Sequence, residues 1–155
     1  MRISAKGEYA AKAVLYLSLK YPNVVTIHEV AEGHHIPLKY LEQILLALKK
    51  SGLLESRRGV HGGYTLARPP DHISVGEVVR AVDGDFSQTS CLRAGSDDHY
   101  ACPEMDCCGL RQVWESLQEN VDRILFQTSF GEVCRRTVNG GGGQQTPITG
   151  LDPGK

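Results

Sequence analysis

No apolar run in this chain approaches the length of a membrane span, and the opening stretch MRISAKGEYA lacks the apolar segment of a secretory leader. A cytoplasmic protein with no membrane partner is the expectation. A glycine-rich cofactor loop, a C-x-x-C pair and a serine–histidine–aspartate arrangement are all missing, which argues against an enzyme. There is no internal repeat. A chain of 155 residues can bury a core without covalent staples, so the five cysteines, an odd number, are not needed as structural cross-links. In a reducing compartment such cysteines are more often ligands or sensors than disulfides.

What is present is unevenly placed. Up to Pro70 there are ten lysines and arginines against five acidic residues; from Asp71 onward there are seven against thirteen. A basic first half suits a nucleic-acid partner, because phosphate neutralisation supplies most non-specific affinity. Chance segregation of surface charge explains the same imbalance.

Periodicity then orders the chain. Ala10, Ala13, Val14 and Leu17 mark a buried stripe on a helix between Ser4 and Lys20, ended by Pro22 and Asn23. Thr26 with Glu29 is a capping box for a short helix that buries Ile27, Val30 and Ala31 and ends at Gly33. Pro37 suits the first turn of the next helix, which turns Leu41, Ile44, Leu45 and Leu48 inward and stops at Gly52. Two short helices joined in this way form a helix-turn-helix. Leu53 to Ser56 and Tyr64 to Ala67 read as strands around a tip rich in glycine (Gly59, Gly62, Gly63) that carries Arg57, Arg58 and His61. The expected fold is therefore mainly α with a small β-hairpin wing: a winged helix-turn-helix.

Ser74 with Glu77 caps a further short helix containing Val75, Val78, Val79 and Val82. Residues 83–108 have no convincing period, and a loop of that length is usually functional or disordered. Beyond it, Leu110, Val113, Trp114, Leu117, Val121, Ile124 and Leu125 share one face of a long helix. Nothing downstream is large enough to cover that face, so a second copy of the chain is its expected partner. Ser129 and Glu132 cap a last short helix containing Cys134, and the glycine-rich tail should be disordered. The expected organisation is a DNA-binding domain over 1–82, a cysteine-bearing loop over 83–108, a dimerisation helix and short helix over 109–138, and a tail over 139–155.

In a helix-turn-helix the second helix lies in the major groove, with its first residues at the base edges. Glu42 can accept from a cytosine amino group and Gln43 can pair with adenine, while Lys39 and Tyr40 suit phosphates. Arg58 on the wing suits a narrow A·T minor groove. Arg2, Lys39, Tyr40, Glu42, Gln43, Arg57, Arg58 and His61 are the candidate contacts to a pseudo-palindromic double-stranded operator.

The segments MRISAKGEYA, IPLKYLEQILLALKKSGLLESRRGVHGGYTLAR and ISVGEVVRAVDG, with the three-cysteine segment before LRQVW, resemble one family. It is the family of bacterial winged-helix iron–sulfur transcription regulators of IscR, NsrR and CymR type, and the IscR type is the nearest in pattern. The resemblance covers Met1 to about Val138, with YLEQ and RGVHGGY as its specific motifs. It implies a homodimeric repressor built on the long helix, with Glu42 as the recognition-helix glutamate and Arg58 as the wing arginine of the minor groove. In cluster-binding members the loop before the long helix holds an iron–sulfur cluster, which implies a 2Fe-2S centre here, ahead of 4Fe-4S.

Three thiolates suit such a cluster, since soft sulfur donors select iron–sulfur or zinc. Adjacent cysteines rarely ligate one metal together, so one of Cys107 and Cys108 is spare. Family members place the last ligand directly before the dimer helix, which implies Cys91, Cys102 and Cys108, with Cys107 as fallback. A zinc site closed by His99, or a thiol switch between Cys102 and Cys107 or Cys108, uses the same residues. A redox enzyme or cluster carrier is a further alternative. Cys134 stands outside the loop and reads as a small buried residue. The IscR type has a histidine three residues past the last cysteine, where this chain has Arg111, which cannot act as a ligand. Glu8, His34, His35, His99, Glu104 and Asp106 are the remaining donors. Some family members recruit a carboxylate at the eighth residue of the other subunit, which implies Glu8.

Overall fold

A computed structural model of the chain describes residues 3–59, 62–84 and 108–139. Arg2, His61, the segment bearing Cys91, Cys102 and Cys107, and residues 140–155 of the tail expected to be disordered lie outside the described residues, while Asn139, counted with that tail, is the last residue of a helix.

Helix α1 (Ala5–Lys20) opens at Ser4, whose hydroxyl accepts from the Gly7 N–H at 3.1 Å. Its Ala10, Ala13, Val14 and Leu17 are buried as their spacing requires, and α1 becomes the post on which four further helices pack. Helix α2 (Ile27–His34) carries the expected capping box: Thr26 N–H donates to Glu29 at 2.7 Å and Glu29 N–H to the Thr26 hydroxyl at 3.3 Å. The helix does not end at Gly33. It runs to His34, and His35 takes the left-handed conformation (φ 52°) that closes it. Gly33 serves packing instead, since a Cβ there would lie 2.6 Å from the Tyr16 ring.

Helix α3 (Leu38–Lys50) starts one residue after Pro37 and buries Leu41, Ile44, Leu45 and Leu48 completely. Strands β1 (Leu54–Arg57) and β2 (Gly63–Leu66) pair antiparallel with Leu54 opposite Leu66 and Arg57 opposite Gly63. Val25, just before α2, adds an isolated bridge to Tyr64 with bonds of 2.9 and 2.8 Å, so the wing is tied to the helix-turn-helix it follows. This is the winged helix expected from the sequence, each strand set within one residue of its expected bounds.

A 3-10 turn (Pro70–His72) leads into α4 (Val75–Asp83), capped by Ser74 and Glu77 as read from the sequence. Val78 and Val79 are buried, whereas Val75 and Val82 are half-buried. Helix α5 (Gly109–Gln127) is followed at once by α6 (Phe130–Asn139), with the Ser129 hydroxyl accepting from the Glu132 N–H. Between them the chain pairs with the segment before α4: Val75 N–H donates to Thr128 at 2.9 Å and Phe130 N–H to Ile73 at 2.8 Å. Phe130 is 1% exposed. A fully buried phenylalanine contributes roughly 2–3 kcal/mol, so the far end of α5 is fastened to the segment that enters α4. Helix α6 then lies on α1.

Candidate nucleic-acid interface and metal centre

Helix α3 hides its apolar face in the core and turns Lys39, Glu42, Gln43, Lys49 and Lys50 to solvent. These are the side chains that a groove-reading helix must leave free. Tyr40 differs from the phosphate contact expected of it. Its ring is half-buried and meets Tyr9 edge-on, centroids 5.8 Å apart, so it also packs α3 on α1. Lys49 donates to the Ser56 hydroxyl at 2.6 Å and so joins the end of α3 to the first wing strand. Lys49 and Lys50 were absent from the sequence-derived contacts because that reading followed only the start of the helix.

At the wing, Arg57 and Arg58 are exposed. Gly59 holds φ 112°, a conformation a side chain would strain, and its carbonyl accepts from Gly62 N–H at 2.8 Å. Gly62 is equally constrained, since a Cβ there would stand 2.7 Å from the Arg57 carbonyl. The two glycines thus bring the chain close on either side of the wing's end, and the arginine side chains beside them are exposed. A positively charged helix face and a basic wing on one scaffold can bind duplex phosphate while presenting Glu42 and Gln43 to base edges.

Of the expected thiolates, Cys108 alone is described. It is a half-buried free thiol at the N-cap of α5, and it makes no capping hydrogen bond. Its sulfur is thus uncommitted to the helix it precedes. Glu8 lies on the first turns of α1 with an exposed side chain, paired with Lys12 at 2.6 Å. That hydrogen bond is the main reason the Lys12 ammonium is held above its ordinary range. His34 is half-buried and meets Tyr16 edge-on at 5.7 Å. Burial, then the nearby Lys12 and His35, push its imidazole below the ordinary value, and its Nε2 has no protein partner among the described residues. His35 is exposed in the turn. His99, Glu104 and Asp106 lie outside the described residues. Among the described residues no three metal-ligating side chains converge. Arg111 pairs with Glu115 at 2.7 Å, one turn along α5. Cys134 is half-buried on α6; burial and then Asp71 raise its thiol, against smaller opposing effects of Arg135 and Ser18.

The apolar face of α5 divides in two. Trp114, Val121 and Leu125 are half-buried, as is Phe126, which rests on Gly76 of α4 with the Arg80 guanidinium 4.4 Å from its ring centre. Leu110, Val113, Leu117 and Ile124 are 64, 57, 41 and 60% exposed. No helix among the described residues is long and apolar enough to cross a membrane.

A sequence model of the Rrf2 family, described as iron-dependent transcriptional regulators, matches residues 3–136. The HTH-type transcriptional regulator IscR of Klebsiella pneumoniae is 36% identical over 134 residues, spanning 86% of this chain and 79% of that protein. Among solved structures, T. potens IscR superposes with a TM-score of 0.72 at 26% identity, covering 94% of both chains. CymR, described as the global cysteine regulator of B. subtilis, gives a TM-score of 0.71 at 26% identity, covering 87% of this chain and 97% of its own.

Proposed function

We infer function from one premise: this chain belongs to the Rrf2 family of transcriptional regulators. It is a DNA-binding regulator of the IscR-like kind, and its relatives are named as regulators rather than enzymes. We propose further that it is a cytoplasmic homodimer reporting iron–sulfur, redox or nitric-oxide status through a cluster held by the loop cysteines. The domain organisation that this requires is the one expected from the sequence, with DNA binding over 1–82, the cluster loop over 83–108 and dimerisation over 109–138.

The observation that carries the DNA reading is the pairing of an exposed Lys39–Glu42–Gln43 face on α3 with exposed Arg57 and Arg58 on the wing, joined through Lys49 and Ser56. In this reading Lys39 and the wing arginines hold phosphates, Glu42 and Gln43 read bases, and Arg58 enters the minor groove, with Arg2 and His61 adding contacts. Tyr40 supports the helix from behind and keeps its hydroxyl end for a phosphate. Leu110, Val113, Leu117 and Ile124 form the seam with a second copy, which sets the distance between two half-sites about one helical turn apart or a multiple of it.

The donor chemistry fits an iron–sulfur cluster, because Cys108 is uncommitted to its own helix and Glu8 is an accessible carboxylate. Cys91, Cys102 and Cys108 would hold it, with Glu8 of a second copy as the fourth donor, and 2Fe-2S is the preferred form. When bound, the group would supply a centre open to displacement by oxygen, nitric oxide or a proton at its one hard ligand. Helix α1 carries Glu8 and packs on α3. Engaging or freeing that carboxylate therefore biases the placement of the recognition helix.

Protein purified without oxygen should be brown, with visible absorption lost on exposure to nitric oxide, and its affinity for a selected duplex should change on that loss. A colourless protein containing zinc, or one whose DNA affinity follows disulfide formation alone, would overturn the cluster reading and leave the regulator.

A further inference from the structure

Six side chains of α3 are exposed: Lys39, Glu42, Gln43, Leu46, Lys49 and Lys50. Five are polar or charged, as water requires. Leu46 is 51% exposed, while Ile44, Leu45 and Leu48 beside it in sequence are fully buried. At about 100° per residue, Leu46 falls between Glu42 and Lys49 on one side and Lys39, Lys50 and Gln43 on the other. The apolar side chain therefore occupies the middle of the face, not its border with the core.

A single exposed leucine is ordinary on a protein surface. This one has Glu42 and Gln43 one turn before it and Lys49 and Lys50 one turn after it, with Lys39 a further turn back, and Lys49 reaches across to the wing strand that leads to Arg57 and Arg58. Such a surface rejects a wholly apolar protein partner and suits an anionic one that offers a small apolar spot. Duplex DNA has that spot in its major groove, where the C5-methyl of thymine is the apolar group presented among hydrogen-bonding base edges.

We propose that Leu46 is a specificity-determining residue that packs on the C5-methyl of a thymine in each half-site. The proposal rests on the reading of α3 as the recognition helix. Leu46 lies four residues beyond Glu42, about 6 Å along the helix axis. With about 3.4 Å between bases, the thymine stands one to two base pairs from the base that Glu42 reads. A cytosine in its place would bury an amino group against leucine without a partner, so the contact selects as well as binds.

The test uses the full-length protein and a duplex recovered by selection from a random library. Each thymine is replaced in turn by deoxyuridine, which removes the C5-methyl and nothing else. Wild-type protein should bind about fourfold more weakly when one particular thymine of either half-site is replaced on its own, the effect of one buried methyl-sized group. Leu46→Ala should bind the thymine duplex more weakly and lose its sensitivity at that position, with an unchanged unfolding midpoint because the site is exposed. Equal sensitivity in wild type and Leu46→Ala at every thymine, or none in either while DNA binding persists, would overturn the role of Leu46. Failure of the selection to enrich any duplex would overturn the recognition-helix reading itself, and this proposal with it.

Discussion

Asp83 holds the head of α1 through Ser4. The Ser4 hydroxyl donates to one carboxylate oxygen at 2.6 Å and its N–H to the other at 3.2 Å, although the residues are 79 apart in sequence. Lys6 adds a bond to the Val82 carbonyl at 3.3 Å. Gly7 makes the approach possible, since a Cβ there would stand 2.5 Å from Asp83 Oδ2. Asp83 ends α4 at the point where the chain leaves for the cysteine-bearing segment, and Glu8 lies one turn beyond Ser4 on α1. The residue that starts the segment and the helix that carries the proposed fourth donor are therefore fastened together.

Ser4 donates to Asp83 and accepts from Gly7 with the same hydroxyl, so Asp83 orients the cap of α1. Asp83→Ala should lower stability by about 1 kcal/mol, the usual worth of an N-cap, and Ser4→Ala by a similar amount. Because the two share one network, the double variant should cost clearly less than the sum. Urea unfolding of the four proteins measures this, and full additivity would show that the two residues act apart.

Gly76 and Phe126 form the joint between α4 and α5. A Cβ on Gly76 would meet the Phe126 ring at 2.8 Å, closer than real contacts allow. Gly76→Ala should therefore destabilise by about 1–3 kcal/mol through overpacking. Adding Phe126→Ala should recover part of that loss by making room, even though Phe126→Ala alone is destabilising. A thermal-melt cycle with no coupling between the two would place the ring elsewhere in solution.

The α4 capping box also predicts an acid limb of stability. Burial would raise the Glu77 carboxyl, but the Ser74 N–H and hydroxyl and the Arg68 guanidinium together outweigh it and hold the group below the ordinary carboxylate range. A carboxyl whose folded value is depressed contributes stability that is present above its unfolded value, near pH 4. That stability is lost as pH falls through the folded value. Unfolding free energy should thus decline on acidification below about pH 5, and Glu77→Gln should flatten the decline while costing about 0.5–1 kcal/mol at neutral pH. The same slope in both proteins would assign the acid limb to other carboxylates.

Much of this architecture is legible in the residues because local rules and burial agree. Thr26 with Glu29 and Ser74 with Glu77 are both complete capping boxes, and the Leu41–Leu48 face is fully buried. The end of α2 was misread because Gly33 carries a strong stop signal that tertiary packing overrides: the Tyr16 ring needs the space, and His35 takes the strained turn instead. The role of Tyr40 at Tyr9, the Asp83–Ser4 contact and the Gly76–Phe126 joint join residues that no local spacing brings together. Leu46 was passed over because an apolar residue in a leucine-rich helix reads as core until the buried face is seen.

The exposed α5 stripe predicts assembly. Leu110, Val113, Leu117 and Ile124 follow one another three, four and seven residues apart on one side of the helix, with half-buried Val121 in the longer gap. Burying that side against its copy removes the apolar exposure of both chains at once. Leu117→Glu with Val121→Glu places charges in the seam, which costs several kcal/mol by order of magnitude. Sedimentation should show monomer for the variant and dimer for the parent at the same concentration, with or without metal. An unaltered dimer would move the interface to another face.

The Glu8–Lys12 pair bears on how easily Glu8 could serve as the proposed fourth donor. An i,i+4 pair with side chains 62 and 43% exposed is well solvated, and such pairs add little to the stability of a helix. So weak a pair would not withhold the carboxylate from a metal if Glu8 is the fourth donor. Lys12→Ala should change cluster retention by no more than about twofold, the scale expected of a solvated surface pair. Glu8→Ala should shift the visible spectrum and shorten the lifetime of the chromophore in air, while Glu8→Asp should restore part of both. His34→Ala and His35→Ala serve as the comparison, since His34 offers a buried Nε2 without a partner among the described residues as the competing donor. A spectrum unmoved by Glu8→Ala but altered by His34→Ala would transfer the fourth position to the histidine, and with it the coupling to α2 in place of α1.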